Sequence, residues 1–129
     1  MTRSSARELL MQLLFQMEVQ QDFSDELKNR YLSDVNGIEN QLGYINGMFA
    51  NIKENLEEID ATISQYSDKW KINRLPKVDL SILRVAVAEI RSADDIPREV
   101  SINEAVELAK KFSTEDGSKF INGILSKVE

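Results

Sequence analysis

Apolar residues recur at three- and four-residue steps through almost the whole chain, the period of helices that each bury one face. Ala6, Leu9, Leu10, Leu13, Leu14 and Met17 keep that spacing, which predicts an amphipathic helix of about 15 residues, with Ser5-x-x-Glu8 as a capping box at its start. A narrower stripe of Leu27, Tyr31 and Leu32 predicts a short helix from Ser24 to about Ser33, and Asn36-Gly37 a turn, since both residues tolerate positive φ. From Ile38 to Tyr66 the seam Leu42, Ile45, Phe49, Ile52, Leu56, Ile59 and Ile63 is unbroken. Two readings fit it: a long helix crossing a bundle, or a dimeric coiled coil. The first is favoured because the other segments need a core to pack against. Gly43-x-x-x-Gly47 has the form of a membrane dimer motif in surroundings too polar for a membrane.

Pro76 stands where a helix can begin, and Val78, Ile82, Leu83, Val85, Ala86 and Ile90 make the segment to Arg91 apolar round much of its circumference. It is therefore expected to be the buried central helix. After a loop from Ser92 to Val100, Ser101-x-x-Glu104 predicts a second capping box, opening a helix with Ile102, Ala105, Val106, Ala109 and Phe112 inward. Ser113 or Thr114 then caps a last helix whose inward face is Ile121, Ile124, Leu125 and Val128. Glu115 and Asp116 fall in its first turn, where the helix dipole favours acids. No segment alternates with period two over a strand's length. The expected architecture is all-α, a compact bundle of about six to seven helices forming one domain over residues 1–129.

Composition narrows the chemistry. The 129 residues contain neither cysteine nor histidine, which removes disulfides, thiolate metal sites, thiol nucleophiles and the usual general base. Asp34-x-Asn36-Gly37 lacks the spacing of a calcium loop, and none of the five glycines sits in a phosphate-cradling motif, so no metal and no cofactor are expected. The acid pairs Glu57-Glu58, Asp94-Asp95 and Glu115-Asp116 read as solvated or capping residues. No catalytic constellation emerges. The apolar stretch from Leu9 to Phe15 is broken by Gln12 and flanked by Glu8 and Glu18, so it is read as mature fold, and a cytoplasmic chain is expected.

The charge is uneven. Residues 1–66 carry 11 acids and 5 bases, residues 67–129 carry 11 of each, and the formal net charge is −6. That argues against a duplex-coating protein but leaves room for a small nucleic-acid site. Three features exceed a structural account: Lys69, Lys71, Arg74 and Lys77 around Trp70, which otherwise plugs the core; the pair Arg3 and Arg7; and the run from Glu115 to Leu125. In that run Phe120 sits at the edge of the inward stripe beside Lys119, at a helix start that can hold a phosphate. On spacing alone, core packing of Phe120 is favoured over stacking on a base.

Several ordered blocks together resemble the NusB family of transcription antitermination proteins. They are Ala6-Arg7 with Leu10, Gln12, Leu14 and Phe15; Trp70 with Arg74-Leu75-Pro76-Lys77-Val78-Asp79 and Ile82-Leu83-Arg84-Val85-Ala86; Ile102-Asn103-Glu104-Ala105-Val106-Glu107-Leu108-Ala109-Lys110; and Lys119-Phe120-Ile121-Asn122-Gly123-Ile124-Leu125. The resemblance implies a non-catalytic, RNA-binding adaptor. Such an adaptor pairs with the ribosomal small-subunit protein NusE, binds boxA RNA of ribosomal RNA leaders, and joins RNA polymerase and other Nus factors. It places RNA contacts on Arg3, Arg7, Asp116, Ser118, Lys119 and Phe120, with Phe120 stacking on a base, and a partner contact on Asp79. Ser4 and Ser5 stand where some relatives carry arginine, which implies few phosphate contacts and a shallow salt dependence. A helical protein-interaction module that has lost RNA binding is the alternative, and a homodimer through the Leu42–Ile63 seam is a further expectation.

Overall fold

The structure is a computed structural model that describes residues 1–68 and 71–129; Lys69 and Trp70, the proposed core plug, lie outside the described residues. Among the described residues there are seven α-helices and no strand: α1 (Arg3–Gln20), α2 (Asp25–Ser33), α3 (Leu42–Glu54), α4 (Leu56–Tyr66), α5 (Lys77–Ser92), α6 (Arg98–Phe112) and α7 (Glu115–Leu125). Short 3₁₀ turns, Glu39–Gln41 and Ile72–Arg74, precede α3 and α5. No helix is long and apolar enough to cross a membrane among the described residues.

The expected central helix is central. Every residue of α5 from Asp79 to Glu89 is buried, and α1, α3, α4, α6 and α7 all pack on it. Its apolar surface meets Leu10, Leu13, Leu14 and Met17 of α1, Phe49 and Ile52 of α3, Ile59 and Ile63 of α4, and Ile121, Ile124 and Leu125 of α7 in one core. A smaller cluster of Ala6, Leu32, Ile38 and Ile45 closes the chain start. There Gly37 turns the backbone at φ +74°, and its carbonyl accepts from the Met1 ammonium at 2.9 Å.

Three sequence expectations are corrected. The seam from Ile38 to Tyr66 is two helices, because the backbone leaves helical geometry at Asn55 (φ −112°, ψ 23°). The Asn55 side-chain amide donates to the Asn51 carbonyl at 2.9 Å, the local competition with the ladder that makes asparagine a poor helix interior. Ile45, Phe49, Ile52, Ile59 and Ile63 are buried within this chain, so that seam is not free to form a coiled-coil dimer.

Neither predicted capping box forms. Helix α1 starts three residues earlier, with Thr2 Oγ1 accepting from the Ser5 N–H at 3.0 Å. Helix α6 starts at Arg98 directly after Pro97, whose φ of −59° already suits a helix start, and Ser101 lies inside it. Ser24 and Thr114 do cap α2 and α7, accepting from the Leu27 N–H at 3.1 Å and the Gly117 N–H at 2.9 Å.

Candidate nucleic-acid interface

The two basic residues of α1 have different fates. Arg3 is exposed; its Nε donates to Gln41 Oε1 at 2.8 Å and its guanidinium lies over the Tyr44 ring, 4.2 Å from the centroid. Arg7, one turn on, is only 5% exposed. It grips Glu89, with Nε 3.1 and 3.0 Å from the two carboxylate oxygens and Nη2 2.8 Å from Oε1, and its Nη1 reaches Glu104 at 3.2 Å. Glu89 also accepts from the Tyr44 hydroxyl at 2.5 Å and the Ser101 hydroxyl at 2.7 Å. Burial pushes the Glu89 carboxyl up, but the donors from Arg7, Tyr44 and Ser101 outweigh it and hold the group below the usual carboxylate range. Arg7 therefore joins α1, α5 and α6 as an internal strut, and the expected surface cation is absent at this position.

The start of α7 is built around a close approach. Ser113, extended at φ −114°, donates its hydroxyl to Asp79 Oδ1 at 2.5 Å and so ties the α6–α7 junction to the first turn of α5. Gly117 lies against that bond: a Cβ there would stand 2.2 Å from Ser113 Oγ and 3.2 Å from both Asp79 Oδ2 and Thr114 Oγ1. Only glycine fits without displacement. The packing leaves an open cleft of about 300 Å³ lined by Leu75, Pro76, Asp79, Thr114, Gly117 and Phe120, with Asp116 at its edge.

The expected site residues divide accordingly. Phe120 is half-buried: one side packs on the core and the ring also lines the cleft, so each sequence reading describes part of its surface. Lys119 is exposed beside it, 3.7 Å from Glu115 in a solvated pair, and Asp116 is exposed. Ser118 is 7% exposed, with its hydroxyl donating to the Glu115 carbonyl at 2.9 Å. Asp79 is 3% exposed, and its carboxylate is engaged by Ser113. The structure thus brings Asp79, Asp116 and Phe120 together around one cleft, whereas Arg3 does not line it and sits against Gln41 and Tyr44.

A second open groove, of about 340 Å³, is lined by Met11, Gln12, Phe15, Gln16, Tyr31, Val78 and Phe112. Val78 of this groove precedes Asp79 of the cleft in the chain. By contrast, the groove between α1 and α6 holds Glu8, Glu104 and Glu107 alongside Lys110 and Lys111, with Lys111 bound to Glu8 at 2.8 Å. That lining is a poor phosphate seat.

Comparison with known proteins decides the family. The NusB family model matches residues 4–129. The chain belongs to the NusB family. The transcription antitermination protein NusB of Acetivibrio thermocellus is 48% identical over 128 residues, spanning 99% of this chain and 88% of that protein. The solved structure of T. maritima NusB superposes with a TM-score of 0.89 at 38% identity, covering 99% of this chain and 90% of that one. A crystal structure of the antitermination factors NusB and NusE in complex with dsRNA gives a TM-score of 0.86 at 25% identity, over 98% and 94% of the two chains. The function of the NusB family, transcription antitermination, is non-catalytic, and this chain shares it.

Within this NusB fold, sequence reasoning passed over Phe15, Tyr31 and Phe112 as groove-lining aromatics. Tyr31 and Phe112 were read as inward-facing; each is half-buried, with one side on the core and the other lining the groove. Glu89 belongs to the blocks that resemble the family, but its role and that of Gly117 were not legible, because they arise from partners 82 residues away for Glu89 and 38 for Asp79 beside Gly117.

Proposed function

We propose that this chain acts in antitermination as an RNA-binding adaptor that takes single-stranded boxA RNA at the α7 cleft and pairs with NusE. The observation that carries the reading is the half-buried Phe120 ring, open to a cleft at a helix start, with Lys119 exposed beside it. An aromatic face stacks on any base, and a nearby cation meets the phosphate. Asp116 is an acceptor for a base N–H, and Arg3 and Lys119 are the phosphate contacts. Arg7, Ser118 and Asp79 hold these groups in place from beneath, and NusE docks beside the cleft rather than in it, on the α5 start that Asp79 ties to Ser113. The second groove extends the stacking surface through Phe15 and Phe112. The complex then joins RNA polymerase with the other Nus factors in the cytoplasm, and any homodimer uses a surface other than the buried Leu42–Ile63 seam.

Phe120→Leu tests this directly, because leucine keeps most of the apolar packing and removes the π face. RNA affinity is expected to fall by about 1–3 kcal/mol, with melting within a few degrees of the parent chain. Unchanged affinity for boxA RNA would remove Phe120 from the site.

A further inference from the structure

The connection between α4 and α5 carries charge that the α7 cleft does not use. Residues 71–77 contain Lys71, Arg74 and Lys77 and no acid, a local charge of +3 in a chain whose formal net charge is −6. All three cations are exposed. Most other cations are engaged: Arg7, Lys53, Arg84, Lys110, Lys111 and Lys119 pair with carboxylates, and Arg98 with backbone carbonyls. Among the described residues none of Lys71, Arg74 or Lys77 has such an ion pair, and Lys77 lies only in the longer-range field of Glu18.

The patch is continuous with the cleft. Leu75 and Pro76, which line the cleft, stand between Arg74 and Lys77 in the chain. The 3₁₀ turn Ile72–Arg74 is closed by the Arg74 N–H donating to the Lys71 carbonyl at 2.9 Å, and such a turn brings residues three apart onto one side. Lys71 and Arg74 therefore flank a closed turn that runs directly into the cleft wall at Leu75 and Pro76. Exposed large apolar side chains, the anchors of a protein interface, are limited among the described residues to Val19 and Val100, neither of them here. Cations without apolar anchors, running into an aromatic cleft, match what a single strand presents: phosphates at regular intervals and bases to stack.

We infer that bound RNA continues past the α7 cleft and that its phosphodiester backbone crosses the α4–α5 connection on Lys71, Arg74 and Lys77. This rests on the RNA-binding reading of the cleft and adds a second, sequence-independent segment to it. In single strands each neutralised phosphate contributes about 0.7 to the slope of log affinity against log salt. Three contacts steepen the slope by about 2 and raise affinity on the order of tenfold at moderate salt.

The test compares a boxA oligonucleotide of about 6 nucleotides with versions extended by about 6 on either end, within the range of single-strand site sizes. Each is titrated from low to moderate salt against the parent chain and against K71Q/R74Q/K77Q, with circular dichroism and melting to establish that the variant is folded. The parent is expected to bind one extended RNA with the steeper slope, and the variant to lose that gain while binding the short RNA as the parent does. A variant that keeps the gain overturns the inference. So does one that keeps it and loses NusE binding, which would make the patch a protein surface. If the parent chain fails to bind even the short RNA selectively, the cleft reading itself falls, and the inference with it.

Discussion

Arg3 and Arg7 are one helical turn apart and carry the same charge, yet burial gives them opposite roles. Removing Arg7 leaves the Glu89 carboxylate inside the protein without its main partner, and breaking a buried pair in that way costs about 3–5 kcal/mol. Arg7→Ala is therefore expected to lower the urea midpoint sharply. Arg3→Ala, at an exposed position, should change stability by no more than about 0.5 kcal/mol and make the salt dependence of RNA binding shallower by about 0.7. Equal stability for the two variants would show that the strut is not what holds α1 to α5. Nothing in the sequence separated them: a charge reads as surface until its partner is known, and Glu89 lies 82 residues away. Phe120 was legible to the extent that its position at the stripe's edge marked it as half in the core and half out of it.

At the level of elements, the α7 start depends on the fit of Gly117 against Ser113 and Asp79. Replacing a helical glycine by alanine ordinarily gains about 1 kcal/mol of helix propensity. Here the added methyl would stand 2.2 Å from a hydroxyl already fixed by Asp79, and overpacking of that kind costs about 1–3 kcal/mol. Gly117→Ala is expected to melt below the parent chain and to weaken RNA binding. A variant that melts higher would mean that Ser113 moves aside freely.

Helix identity and order were readable throughout, because burial on one face imposes the 3.6-residue period wherever a helix packs on α5. Helix ends and the break at Asn55 were not, since Ser-x-x-Glu occurs inside helices as readily as at their starts and a single asparagine does not interrupt an apolar seam. Pro97 and Thr2 provided the true starts of α6 and α1.

For the whole molecule, two buried cation clusters cross-link the bundle. Arg84 donates to Asp60 at 2.9 and 2.8 Å and to Glu18 at 2.6 Å, joining α1, α4 and α5, while Arg7 joins α1, α5 and α6 through Glu89 and Glu104. Burial raises the Glu18 carboxyl, but Arg84 and Gln21 outweigh it, so Glu18 and Glu89 both lie below their ordinary range in the folded chain. A carboxyl whose folded pKa is depressed stabilises fully above its unfolded pKa and loses that contribution as pH falls through the folded value. The urea midpoint should accordingly be flat above about pH 5 and decline below the unfolded glutamate pKa near about 4.3. A decline between pH 5 and 7 would place the sensitivity in some other group.

With an acidic surface and few free cations at the cleft, the adaptor depends on stacking and on its partner as much as on charge. The short boxA oligonucleotide should show a salt slope of about −1.5, from Arg3 and Lys119, and a slope steeper than about −5 on any RNA would exceed all the contacts assigned. The most direct measurement is titration of labelled boxA RNA and a scrambled RNA of equal length with this chain, with and without NusE, at physiological salt. Selective binding of boxA that tightens when NusE is present is the predicted result. Equal affinity for both RNAs, even with NusE bound, would contradict it and leave a helical interaction module that has lost RNA recognition.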